Sequence, residues 1–244
     1  MKKIAIALLL LVSTITFGQE KVLLRLNYEK GDVYEVNASV NQDMGGLMKM
    51  GINMSMQLKV TDVKEETYIT EASFNGVKMD MDAMGQKMKY DSNMKESEMD
   101  DFAKSAHGEM KELLETRIAF EYDKLGKIIE ASLLSNKGNA KDFEDNMNSM
   151  VLPKEAVQVG SKWSEERSTK AGLKMNYEYE VTEITKDTVE VKVSGTISGE
   201  KDAISGVGSI DRKTGNMIKM DMDLIITVQG QKVNSKVIVT TTKK

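Results

Sequence analysis

The chain has 244 residues, 40% hydrophobic and 30% charged, with a formal charge of −4 and a pI near 5.4. That length suits one large domain or two small ones, and the mild acidity gives no basic footprint for nucleic acid or an anionic membrane. With no cysteine there are no disulfides, no thiolate metal sites and no lipid-modified N-terminal Cys, so core burial must supply the stability.

Residues 1–18 read as a cleaved secretory signal. Lys2 and Lys3 precede an apolar run from Ile4 to Val12, and small residues at Thr16 and Gly18 suit a cut before Gln19. The run is too short for a bilayer, which takes ~20 residues, and no later segment is a candidate membrane helix. The expected location is the periplasm or the cell exterior.

Beyond the signal, period-2 alternation dominates. It predicts strands at Leu23–Tyr28, Val33–Val40, Met48–Thr61, Thr67–Met81 and Gln86–Tyr90. Arg117–Tyr122 and Lys127–Leu133 form a hairpin around Asp123-Lys-Leu-Gly126, where the Asp opens the turn and the Gly takes the left-handed position. Leu173–Ile184, Thr188–Ser198, Ile204–Ile210, Met217–Val228 and Lys232–Thr242 complete the set. A second turn of the same kind, Asp211-Arg-Lys-Thr-Gly215, joins the Ile204 and Met217 strands. Tight turns between sequence neighbours make the sheet mainly antiparallel.

Two segments show helical spacing instead. Glu96–Thr116 carries Met99, Phe102, Ala103, Ala106, Met110, Leu113 and Leu114 on one face, with Ser97 and Asp100, or Asn93 and Glu96, as its cap. Gly108 weakens its middle and offers a place to bend. The second, Ala140–Val151, is capped by Asn139, turns Phe143, Met147, Met150 and Val151 inward, and is stopped by Pro153.

The halves resemble each other. Gly31-Asp-Val-Tyr34 matches Gly160-Ser-Lys-Trp163, offset by 129 positions, and Val60–Thr67 matches Val181–Thr188, offset by 121. An eight-residue difference near Asn41–Leu47 accounts for the change. Val77–Asp82 echoes Ile218–Asp223 at a third offset, so no single frame covers everything. The expected fold is mainly β (α+β): a duplicated antiparallel sheet curved into an open half-barrel, with two inserted helices. Residues 19–244 would form one domain, with the copies at about 22–133 and 158–243.

The residues that carry this pattern resemble a family of secreted proteins of unknown function from Bacteroidota. They are the signal peptide, the opening strand with Gly31-Asp-Val-Tyr34, the Met-rich strand ending in Val60-Thr-Asp-Val63, the Lys78-Met-Asp-Met81 segment and Gly160-Ser-Lys-Trp163. The resemblance spans the whole mature chain and implies no activity. More loosely, the architecture is similar to periplasmic lipoprotein carriers, whose half-barrels are closed by helices. None of their functional residues transfers, because none of their motifs stands at matching positions.

The chemistry centres on methionine, with 19 against five Phe and one Trp. From Met48 to Val60 every second residue is apolar, and four of those seven are Met. Met is unbranched and polarisable and moulds to irregular shapes, as at promiscuous binding surfaces. The leading expectation is a non-enzymatic module that buries a lipid or other hydrophobic molecule on a Met-lined concave face, with the Glu96–Thr116 helix as a movable cover. The expected lining is Met48, Met50, Ile52, Met54, Met56, Met79, Met81, Met110, Met175, Tyr177, Met220 and Met222. One alternative is a structural or envelope-interaction protein whose methionines are only core. Another is a Cu(I)-binding protein built on the Met-Xaa-Met pairs, since thioethers select that ion.

Other chemistry finds less support. Asp80/Asp82 and Asp221/Asp223 alternate with methionine and so belong to the wet face. A straight strand does not gather the six to eight oxygens of a Ca²⁺ site. With no Cys, one His and no Gly-Xaa-Ser-Xaa-Gly elbow, no nucleophile is indicated, and Gly206-Val-Gly208 is too short for a dinucleotide loop. No cofactor is expected, and a protein partner is left open.

Overall fold

A computed structural model describes residues 20–135, 140, 150–168, 172–198, 200–228 and 231–244. The strands are β1 (Val33–Asp43), β2 (Met48–Val63), β3 (Thr67–Ala83), β4 (Gln86–Asp91), β5 (Arg117–Asp123), β6 (Ile128–Leu133), β7 (Lys162–Ser168), β8 (Lys174–Ile184), β9 (Thr188–Ile197), β10 (Glu200–Asp211), β11 (Met217–Val228) and β12 (Gln231–Lys243). A helix, α1 (Asp101–Leu114), lies between β4 and β5. The strands form one open 12-stranded sheet in the order β6-β5-β3-β2-β1-β12-β11-β10-β9-β8-β7, with β4 added on β3, and every pairing is antiparallel. The expected mainly β, antiparallel, open architecture is thus the observed one. β1 pairs with β12 in the middle of the sheet, and β6 and β7 are its outer edges.

The sheet curls strongly. Laid flat, β6 and β7 would be separated by ten strand spacings, nearly ~50 Å at about 4.8 Å each. Yet two consecutive residues reach both sides. Leu152 N–H donates to the Leu125 carbonyl beside β6 (2.8 Å), and the Val151 carbonyl accepts from Trp163 Nε1 on β7 (3.0 Å). The apolar face is therefore the inner one.

The two halves repeat each other's local bonds. Gly31 N–H donates to the Val60 carbonyl and Val60 N–H to the Asp32 carbonyl; Gly160 and Val181 do the same with Val181 and Ser161. Both glycines have left-handed φ, +96° and +85°. The ladders slip at equivalent places, between Val60 and Asp62 and between Val181 and Glu183. The first hairpin has the longer arms, 11 and 16 residues against 7 and 11 in β7 and β8.

Three expectations need correction. Leu23–Tyr28 is extended but not a strand. Its alternate residues Leu24, Leu26 and Tyr28 are buried, while its backbone bonds to turns instead of a ladder: Leu26 N–H to the Lys124 carbonyl (2.8 Å) and Asn27 N–H to the Thr214 carbonyl (2.9 Å). This strap crosses the inner face from one Asp-turn hairpin to the other. Conversely, β7 is a strand that alternation did not signal, because its inward residues are Trp163, Glu165 and Arg167. Lastly, α1 starts later than the spacing suggests. Residues Glu96–Glu98 form a 3₁₀ turn, Asp100 caps α1 by accepting from Ala103 N–H (2.8 Å), and the helix runs unbroken through Gly108. The second expected helix, 140–151, lies almost wholly outside the described residues; Met150 and Val151, which are described, are not helical.

At the central join, Asp32 accepts from Lys243 Nζ (2.7 Å), Tyr34 O–H (3.1 Å) and Glu29 N–H (3.1 Å). Burial works to raise its pKa, but the bonds from Lys243, Glu29 and Tyr34 outweigh it and hold the carboxyl below its ordinary value. A folded pKa below the unfolded one contributes stability above the unfolded pKa, which disappears as pH falls through the folded value. Asp32→Asn should therefore lower stability by about 1–2 kcal/mol near neutral pH, with the deficit shrinking in acid. Urea unfolding of both proteins across that pH range checks it.

Candidate functional site

Register places the expected lining residues of β2, β3, β8 and β11 on one inner face. Met54 stands opposite Ala38 and Val77, Ile52 opposite Val40 and Met79, and Met50 opposite Gln42 and Met81. Across the join, Ala38 and Val40 face Val239 and Val237, which face Met220 and Met222. On β8, Met175 and Tyr177 face Ile197 and Gly195.

Packing then divides this face. Met56, Tyr177 and Met220 are buried in the core. Ile52, Met54, Met79 and Met110 pack around Val77, Tyr90 and α1, while Met175 and Met222 pack against the cluster in the second half. Met48, Met50 and Met81 are half-buried on the extended arm of the first hairpin. Met110 thus belongs to α1, which covers β3 and β4 and not the middle of the sheet. His107, on the same helix, meets Tyr90 Oη through Nδ1 at 3.2 Å.

Glycines explain part of the methionine usage. Gly206 and Gly208 on β10 stand opposite Met222 and Met220. A Cβ at Gly206 would come within 2.9 Å of Met222 Cγ, and one at Gly208 within 3.2 Å of Met220 Cε. The thioether chains lie over the glycines and fill space that a short β-branched side chain would not reach.

The middle of the inner face is different. Val36, Ala38, Val40, Met222, Leu224, Val237 and Val239 are each only half-buried. They form an apolar band across β1, β12 and β11, between the areas filled by α1 and by the strap.

A cavity of about 810 Å³ lies at the long arm of the first hairpin. Most of its lining comes from the rows opposite the inner one, Asn41, Gly51, Asp80 and Lys89, then Asp43, Lys49, Asp82 and Lys87, and the inner-row Met50, Met81, Met88 and Leu224 line it too. The Asp pairs are matched by lysines on neighbouring strands, Lys89 to Asp80 at 3.3 Å and Lys236 to Asp221 at 2.7 Å. This is a solvated, charge-laced surface. Among the described residues no group of three or more His, Asp and Glu is placed to hold a metal ion.

A second cavity, about 600 Å³, lies at the seam between β6 and β7. Leu125, Ile128, Leu152 and Trp163 give it apolar walls, and Glu165 and Arg167 line it from β7. The two charges form a bidentate pair, with Nε–Oε1 and Nη2–Oε2 both 2.8 Å, and the guanidinium lies 4.9 Å from the Tyr177 ring centroid. Trp163, Tyr179 and Tyr177 stack in succession at centroid distances of 5.2 and 6.3 Å. Sequence reading passed over this pair because inward charges hide the alternation that marks a strand. The match of Trp163 to Tyr34 was the one available signal, since it fixes which residues of β7 face inward.

Residues 131–236 match the model of DUF6263, a family of unknown function. That stretch runs from β6 into β12 and takes in the seam strand β7. Among solved structures, the chain is similar to lipovitellin, in a structure concerned with lipid–protein interactions, with a TM-score of 0.50 and 11% identity over 89% of this chain. The chain spans 25% of the lipovitellin chain. A DUF1329 family protein from Desulfovibrio piger aligns at 9% identity over 88% of this chain and 85% of its own, with a TM-score of 0.22. No curated protein matches. The lipovitellin likeness is one of fold, and the other score is too low to support even that.

Proposed function

We propose that this protein acts outside the cytoplasm as a non-enzymatic module that binds a lipid or other hydrophobic molecule on its inner sheet face. The observation that carries the reading is the half-buried apolar band on β1, β12 and β11, which α1 and the strap leave between them. An apolar surface of this kind gains roughly 25 cal/mol for each Å² that a ligand removes from water, and the function would be burial without chemistry. Lipovitellin, a protein described with its lipids, offers a precedent for such a sheet. Met222 and Met54, unbranched and at the band's margins, suit ligands of varied shape.

A second reading has an observation of its own. Met50, Met81 and Met88 stand directly opposite one another on β2, β3 and β4, so three thioethers share one row with Cβ atoms about 5 Å apart between neighbours. That is a donor set for Cu(I).

Native mass spectrometry of the mature protein, purified from cells without detergent, tests both. The expected spectrum carries excess mass that disappears on organic extraction. Excess of one copper ion, removed by a Cu(I) chelator, would favour the thioether reading, and bare polypeptide alone would overturn both.

A further inference from the structure

The turns that end the long arm of the first hairpin carry exposed apolar side chains. Met84 and Gly85 are the two-residue loop between β3 and β4, closed by the Ala83–Gln86 pair, and both have left-handed φ, +53° and +89°. Asn or Gly meets that geometry at least cost. The chain has Met there instead, and Met84 is 79% exposed. Beside it, in the turn between β1 and β2, Leu47 is 54% exposed, and its carbonyl accepts from Met84 N–H (3.2 Å). That bond ties the two turns into one apolar tip.

The backbone of the tip is prepared for a medium without water. Met44 and Leu47 N–H donate to the Met48 and Met44 carbonyls, while Gly46 and Gly85 N–H donate to the carboxylates of Asp43 (3.2 Å) and Asp82 (2.9 Å). In hydrocarbon, each N–H left bare would carry a heavy penalty. Behind the tip the strands bear both charge signs: Lys49 lies 3.7 Å from Asp43, and Lys87 stands opposite Asp82.

We infer that this tip inserts into the interfacial layer of a zwitterionic lipid bilayer. Leu47 and Met84 enter the acyl boundary, and the Lys and Asp side chains lie among headgroups that also carry both signs. For its purpose the contact rests on the hydrophobic-ligand reading. It brings the inner face, whose Met88, Met81 and Met50 row begins just behind the tip, to a source of lipid. A protein partner fits less well, because two tight turns supply far less than the ~800 Å² per partner of a stable interface. Interfacial insertion needs only a shallow apolar wedge.

The test is flotation of the purified protein with vesicles of phosphatidylcholine alone, with native mass spectrometry of the same sample reading its bound lipid. The wild-type chain should float, and added salt should not release it, since the contact is apolar. Leu47→Asp/Met84→Asp should reduce the bound fraction at least about tenfold. Met84→Gly separates docking from folding. It should weaken flotation several-fold while raising the urea midpoint, because glycine relieves the left-handed strain. Val207→Asp, at a 60% exposed position on β10, should change nothing.

A wild-type chain that does not float would overturn the tip contact, and lipid mass on that same chain would leave the hydrophobic-ligand reading standing. Flotation that persists in the double variant, or that salt reverses, would overturn the contact too. Flotation lost only in the tip variants, by a chain of bare polypeptide mass, would uphold the contact and sink the hydrophobic-ligand reading.

Discussion

Gly215→Ala should cost about 3 kcal/mol or more, the sum expected for left-handed strain and a backbone clash. Gly215 sits at φ +70°, and a Cβ there would stand 2.2 Å from the Arg25 carbonyl oxygen and 2.5 Å from its carbon. Neither atom can yield easily, because Arg25 belongs to the strap that crosses the inner face, and its guanidinium donates to the Pro153 carbonyl at 2.9 Å. The turn would have to retreat, and with it Asn216, whose Oδ1 accepts from the buried Tyr28 hydroxyl at 2.6 Å. Gly160→Ala is the control. Its φ is also left-handed at +85°, but a Cβ there meets nothing within 4 Å, so the loss should stay near 1 kcal/mol. Urea midpoints at unchanged slope measure both. Equal losses would mean that the strap does not press against the turn.

Leu24→Ala should cost about 3 kcal/mol, in the range found for emptying a fully buried aliphatic site. Leu24 is fully buried in the cluster of the second half, although its segment pairs with no strand. Leu23, its neighbour, is 56% exposed, so Leu23→Ala should change stability by less than about 0.5 kcal/mol. The contrast tests whether the strap is part of the core. Because Val22 and Leu24 join one core cluster and Leu26 and Tyr28 the other, the strap links the two halves from inside. A tail lying loosely on the surface would give two small effects instead. Amide exchange at Leu26 and Asn27, slowed by their bonds to the two turns, provides an independent check.

Local pattern was enough to determine most of this protein. A period of two is imposed by the strand itself, so eleven of the twelve strands were legible, and so were the antiparallel order and the wet face bearing Asp80, Asp82, Asp221 and Asp223. The Asp-Gly turns were legible too, because glycine at positive φ is a local requirement, met at Gly126 and Gly215.

Tertiary structure decided what period and spacing do not encode. Leu23–Tyr28 alternates like a strand because it is half-buried, but where its N–H groups go depends on two turns distant in sequence. β7 was hidden because an edge at the seam keeps Glu165 and Arg167 inward. Which methionines fill space over glycines, which lie under α1, and which flank the half-buried band is a matter of what each faces across the curled sheet. Alternation says only that a residue is turned away from water. The element that meets it on the inside is set by the closure of the whole sheet.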